Sequence, residues 1–204
     1  MFHRVATIPP IKQNIKPMAI RKVSEGVSGW TNKMPFPQDR YSICCIEEEF
    51  VMSKSKNNPQ LVRTWEIISP PIVQMGDKSI SVAGLKITEY QPTKVHNEDG
   101  DGWNTEASDK AFGRFRDGLL LAGFDPNGEI DDENPPLFMK GKTLDAIVTA
   151  TKEVACKPPT PEQLRKGQRK GDPIKDGEGN EVNSYQLKIG QMLGLSQTKV
   201  NVAY

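Results

Sequence analysis

Positions 40 to 68 read RYSICCIEEEFVMSKSKNNPQLVRTWEII, and the fold turns on this stretch. Tyr41, Ile43 and Cys45 alternate with Ser42 and Cys44, and the apolar pattern continues through Ile46, Phe50 and Val51. A period of two in β-branched and aromatic residues marks a half-buried strand. The tract Ser53-Lys54-Ser55-Lys56-Asn57-Asn58-Pro59 breaks the pattern, and Leu61 to Ile68 resumes it. The stretch therefore predicts a β-hairpin with a polar, basic turn.

Downstream, Pro70-Pro71 ends the second strand and Gly76-Asp77 supplies a turn. Ser79 to Tyr90 places Ile80 and Val82, then Leu85 and Ile87, on alternating positions, which predicts a third strand with Gly84 as a bulge. From Ser108 to Phe124 the period becomes helical, with Phe112, Phe115, Leu119 and Ala122 on one face. Ser108 or Asp109 suits the N-cap and Gly123 the stop. The interior glycines Gly113 and Gly118 each cost about 1 kcal/mol relative to Ala, so packing on a sheet must hold this helix. Lys142 to Cys156 reads as a strand, with a helix as the alternative, and Ser184 to Ile189 reads as the last strand.

The order strand, strand, strand, helix, strand, strand gives a mainly β fold: a five-stranded OB-fold-like barrel with one helix between strands three and four, plus long loops. Residues 1–38, punctuated by proline, read as an extended N-terminal arm. Residues 39–195 form the domain and residues 196–204 a C-terminal tail. The arm offers contacts between subunits and so a route to a homo-oligomer.

Composition narrows the function. Of 204 residues, 36% are apolar, and 17 Gly with 16 Pro imply a modest core with long loops. Three cysteines, two of them adjacent, form neither a disulfide framework nor a zinc pair, which points to a reducing compartment. No apolar run approaches the roughly 18 residues of a membrane span, so a cytoplasmic, non-membrane protein is expected. The net charge of +1 hides a segregation: residues 1–94 carry +5 (13 basic, 8 acidic), residues 95–134 carry −8 (3 basic, 11 acidic) and residues 135–204 carry +4 (11 basic, 7 acidic). Two basic portions flank an acidic middle, which leaves room for a polyanionic partner.

No nucleophile elbow, phosphate-binding Walker loop, catalytic carboxylate pair or zinc cluster is present, and the only histidines are His3 and His96. A binding protein rather than an enzyme is expected, with no catalytic residue, metal or other cofactor. Asp99, Asp101 and Asn104 have part of the spacing of a calcium loop but lack its glycine and closing glutamate, and read as a solvated acidic loop.

A single-strand binder needs cations for phosphates and aromatic faces for unstacked bases, each stack contributing about 1–3 kcal/mol. The basic tracts fall between strands one and two, with Lys54 and Lys56, and between strands four and five, with Arg165, Lys166, Arg169 and Lys170. OB-folds grip oligonucleotides with these two loops. Arg63 and Trp65 share a strand face, where Trp65 is either a stacking platform or a core residue. Tyr41, Phe50 and Tyr90 are further stacking candidates, whereas Phe112 and Phe115 read as core.

The stretch YSICCIEEEFVMSKSKNNPQLVRTWEI resembles the opening hairpin of phage-encoded OB-fold single-stranded DNA-binding proteins. The resemblance runs from about Arg40 to Leu193 and includes the FGRFR helix with Leu119 to Gly123, and the closing SYQLKIGQMLGL. It implies a partner, single-stranded DNA exposed in phage replication or recombination, with Lys54, Lys56, Arg63 and Trp65 in contact with it. Many such proteins recruit replication or recombination partners through an acidic tail, whereas this sequence ends SQTKVNVAY. A non-enzymatic structural or assembly protein of a virion is the competing expectation.

Overall fold

A computed structural model describes residues 27–54, 57–99, 101–125 and 127–197. The chain runs through β1 (Val27–Gly29), β2 (Asp39–Met52), β3 (Pro59–Ser69), β4 (Ile72–Met75), β5 (Lys78–Ser81), β6 (Lys86–Pro92), α1 (Thr105–Leu121), β7 (Thr143–Val154), α2 (Pro161–Arg165) and β8 (Asn183–Leu195). Five long strands form one sheet in the order β6-β3-β2-β7-β8, all neighbours antiparallel, and β1-β5-β4 form a small second sheet. The fold is mainly β. Among the described residues no helix is long and apolar enough to cross a membrane.

Three expectations need correction. The five strands do not close into a hydrogen-bonded barrel: β6 and β8 approach each other but no ladder joins them, and α1 packs against both. The segment expected as one strand from Ser79 to Tyr90 is two strands in different sheets. Gly84 is not a bulge but a turn residue with φ of +79°, a conformation glycine adopts without strain, and β5 turns away to pair with β4 and with β1. Of the expected arm, residues 1–26 lie outside the described residues, but residues 27–38 join the fold: β1 lies parallel to β5, and Phe36 is a core residue with its ring edge-on to Trp30 and tilted against Tyr41. Of the tail, residues 198–204 lie outside the described residues.

Helix α1 begins three residues before the expected start, capped by the Asn104 side chain, which accepts the Ala107 N–H at 2.9 Å. It ends as read, with Gly123 at φ +84° just past the C-cap. Its buried stripe carries Ala111, Phe115 and Leu119, and a Cβ at Gly118 would lie 3.5 Å from Met139. Phe112 packs half-buried at the edge of the core.

The core lies between one face of the large sheet and α1, with Phe36, Ile80 and Val82 joining it. On β3 every odd residue from Pro59 to Ile67 is buried, and on β7 Leu144, Ala146 and Val148 are. Strand β2 carries one extra residue near Ile46: Cys45 opposes Trp65, whereas Glu47 opposes Thr64 and Glu48 opposes Arg63. Such a bulge changes which side chain points in. It turns Glu48 inward while Glu47 and Glu49 face out.

Candidate functional site

The outward phase of the sheet builds the site. With odd residues of β3 committed to the core, Gln60, Val62 and Thr64 point to the other face. Their cross-strand neighbours are Val51, Glu49 and Glu47 on β2, and Pro92, Tyr90 and Thr88 on β6. Over one end of this face lies a groove of about 710 Å³. Its floor is Val51 and Val62, its wall Tyr90, which is 63% exposed, and its rim Lys54 and Arg169.

Local contacts brace the segments that carry both rim cations. Lys54 sits in the β2–β3 turn, which closes by the Ser53 N–H to the Asn58 carbonyl at 2.8 Å and the Asn58 N–H to Ser53 Oγ at 2.9 Å. Asn57 takes a left-handed φ of 51°, which asparagine tolerates. Asn58 Oδ1 accepts the His96 N–H at 2.8 Å, so the turn is braced against the segment after β6. Arg169 lies in the β7–β8 connection, expected to be a plain loop but containing the short helix α2. Thr160 and Gln163 cap α2 reciprocally, and Gln163 Nε2 also donates to Asp172 at 3.1 Å. Beyond Arg169, Lys170 pairs with Glu153 at 2.7 Å, and Gly171 lies so close to Pro158 that a Cβ there would be 2.6 Å from its carbonyl oxygen.

Comparison with protein-family models, with curated proteins and with solved structures finds no match. The site therefore rests on its own geometry.

Of the residues singled out in the sequence, Lys54, Tyr90 and Arg169 come together in the groove. Lys56 lies outside the described residues. Arg165, Lys166 and Lys170 are exposed on the β7–β8 connection but do not line the groove, and Lys166 is paired with Glu162 at 2.8 Å. Phe50 is half-buried against the core.

Arg63, Trp65 and Tyr41 are corrections. They are 1%, 0% and 0% exposed and belong to the interior, out of reach of any base or phosphate in this conformation. The phase of β3 is opposite to the one that would present them, and in a strand a shift of one residue moves every side chain to the other face. Inside, Arg63 Nε donates to Glu48 Oε1 at 2.9 Å, and Glu48 Oε2 accepts the backbone N–H of Met139 at 2.8 Å. Trp65 Nε1 donates to Glu89 Oε2 at 2.9 Å, and Glu89 lies 3.6 Å from Arg63. Two carboxylates thus compensate one guanidinium and one indole N–H. Burial, reinforced by Glu48, pushes the neighbouring Cys45 thiol up to about 12. Burial, together with Asp39, raises the Tyr41 phenol to about 12 as well, and its hydroxyl donates to the Pro37 carbonyl.

Sequence reasoning missed Glu49, Gln60 and Val62. The signal that could have found them is the run Glu47-Glu48-Glu49: one buried arginine on the facing strand needs one of the three, and that choice fixes the phase of both strands. Among the described residues no group of three His, Cys, Asp or Glu side chains is placed to hold a metal ion.

Proposed function

We propose that this chain binds single-stranded DNA along the outer face of β2, β3 and β6, without catalysing a reaction on it. The observation that carries this reading is the convergence of Lys54, Tyr90 and Arg169, from three separate elements, on one groove with an apolar floor. Cations at the rim suit phosphates, and an exposed ring beside aliphatic side chains suits an unstacked base.

The strand order supports the same reading. Counting only the five long strands, the sheet runs third, second, first, fourth, fifth, with α1 between third and fourth. An OB-fold whose barrel opened between its outer strands would run in this order. OB-folds bind oligonucleotides on the face of strands two and three and with the loops that here hold Lys54 and Arg169. With the resemblance in sequence, this favours a cytoplasmic protein that protects or organises single strands during phage replication or recombination.

The test is anisotropy of a labelled mixed-sequence single strand and of its equal-length duplex titrated with the protein at several salt concentrations. Trp65 is buried and the groove contains no tryptophan, so a labelled strand reports binding more directly than intrinsic fluorescence. Tight binding of the single strand that weakens steeply with salt, with much weaker binding of duplex, is expected. Equal binding of both, or of neither at low salt, overturns the reading.

A further inference from the structure

The outer face is laid out in cross-strand rows. Glu49 opposes Val62, and Val62 opposes Tyr90, so carboxylate, aliphatic side chain and phenol ring lie in one line across two strand spacings, about 10 Å. All three line the groove. Glu49 is exposed and has no ion-pair partner among the described residues.

A carboxylate in the middle of a polyanion groove repels phosphates, which must then run along the rim with Lys54 and Arg169. What it accepts is a hydrogen-bond donor. A base that stacks on Tyr90 and rests on Val62 has Glu49 at its far edge. Guanine there offers two adjacent donors, N1–H and the 2-amino group, to the two carboxylate oxygens. Thymine offers a single N–H between two carbonyl oxygens, which the carboxylate repels. Bases of a single strand are open to such reading on their pairing edges.

We propose that Glu49 makes this groove discriminate among bases, with guanine preferred over thymine. The proposal rests on the single-strand reading and replaces the indifference to base that stacking alone would give.

The experiment compares, by anisotropy, a thymidine oligomer, an alternating thymidine–guanine oligomer of the same length and its thymidine–inosine counterpart, which lacks the 2-amino groups. Each is titrated with the native chain and with Glu49→Gln. The native chain is expected to bind the guanine oligomer about tenfold tighter than thymidine, the size of a good bidentate base contact, with inosine between them. In Glu49→Gln the difference should shrink to about twofold or less, since the amide sets one acceptor oxygen and one NH2 donor against guanine's two donors. Equal binding of all three oligomers by the native chain overturns the proposal and leaves the single-strand reading standing. A guanine preference that survives in Glu49→Gln also overturns it. Failure to bind any of them overturns both.

Discussion

Arg63 and Glu48 face each other across the β2–β3 ladder with Nε and Oε1 2.9 Å apart and both side chains withdrawn from water. Truncating one partner of such a pair strands the other charge, at a cost of about 3–5 kcal/mol. Arg63→Ala and Glu48→Ala are each expected to lose stability on that scale in urea unfolding. The double variant Arg63→Met, Glu48→Leu should lose less than either. Additive losses would mean that the two groups are not coupled.

Tyr90 and Trp65 should separate binding from stability. Tyr90→Ala removes an exposed ring and is expected to weaken single-strand binding by about 1–3 kcal/mol with unfolding unchanged. Lys54→Ala and Arg169→Ala should each flatten the salt dependence of binding by about one phosphate contact. Trp65→Ala should instead cost about 3–5 kcal/mol of stability, the range for deleting a buried Trp. A Trp65→Ala protein that is fully stable and fails to bind would reverse these assignments.

Gly113 and Gly171 should respond oppositely to alanine. A Cβ at Gly113 on α1 meets nothing within 4 Å, so Gly113→Ala should stabilise by about 0.5–1 kcal/mol through helix propensity alone. At Gly171 the same atom would press on the backbone of Pro158, so Gly171→Ala should shift the segment after Arg169 and lower the melting temperature. Calorimetry on the two variants checks both signs.

Asp145 ties β7 to β2. Burial raises its pKa, but hydrogen bonds from Arg40, Ser42 and Ser196 outweigh burial and hold the carboxyl below its ordinary value. A carboxyl depressed in the folded state adds stability above its unfolded pKa, about 3.9, and loses it as pH falls through the folded value. Asp145→Asn should therefore be less stable by about 1 kcal/mol at neutral pH. Its stability curve should converge on that of the native chain as pH drops below about 4. Parallel curves down to acid pH would rule Asp145 out as the source.

The elements were legible where local periodicity and tertiary demand agree. The β2–β3 hairpin, α1 and β7 follow from alternation, from Gly123 and from β-branched content. β4 and the early start of α1 were not legible, since β4 is four residues paired within a small sheet and the cap at Asn104 lies inside the acidic loop. The site was half legible. Lys54, Tyr90 and Arg169 could be read as polar or aromatic residues near turns. The inward phase of Arg63 and Trp65 could not, because alternation gives a period without saying which phase faces the core. The facing strand was little guide, because the bulge near Ile46 that delivers Glu48 to Arg63 is a single extra residue and leaves no local trace beyond the run of three glutamates.

Strand β2 has two neighbours that emerge at very different times. Its partner β3 follows across a short turn, whereas Tyr41 pairs with Ala146, more than a hundred positions later. Local pairing forms early and distant pairing waits on chain closure. During synthesis the β2–β3–β6 half thus leaves the ribosome with the Asp39–Cys44 edge of β2 unpaired until β7 follows. For that interval the nascent chain carries an open strand edge, the kind of edge through which one copy of a chain can pair with another.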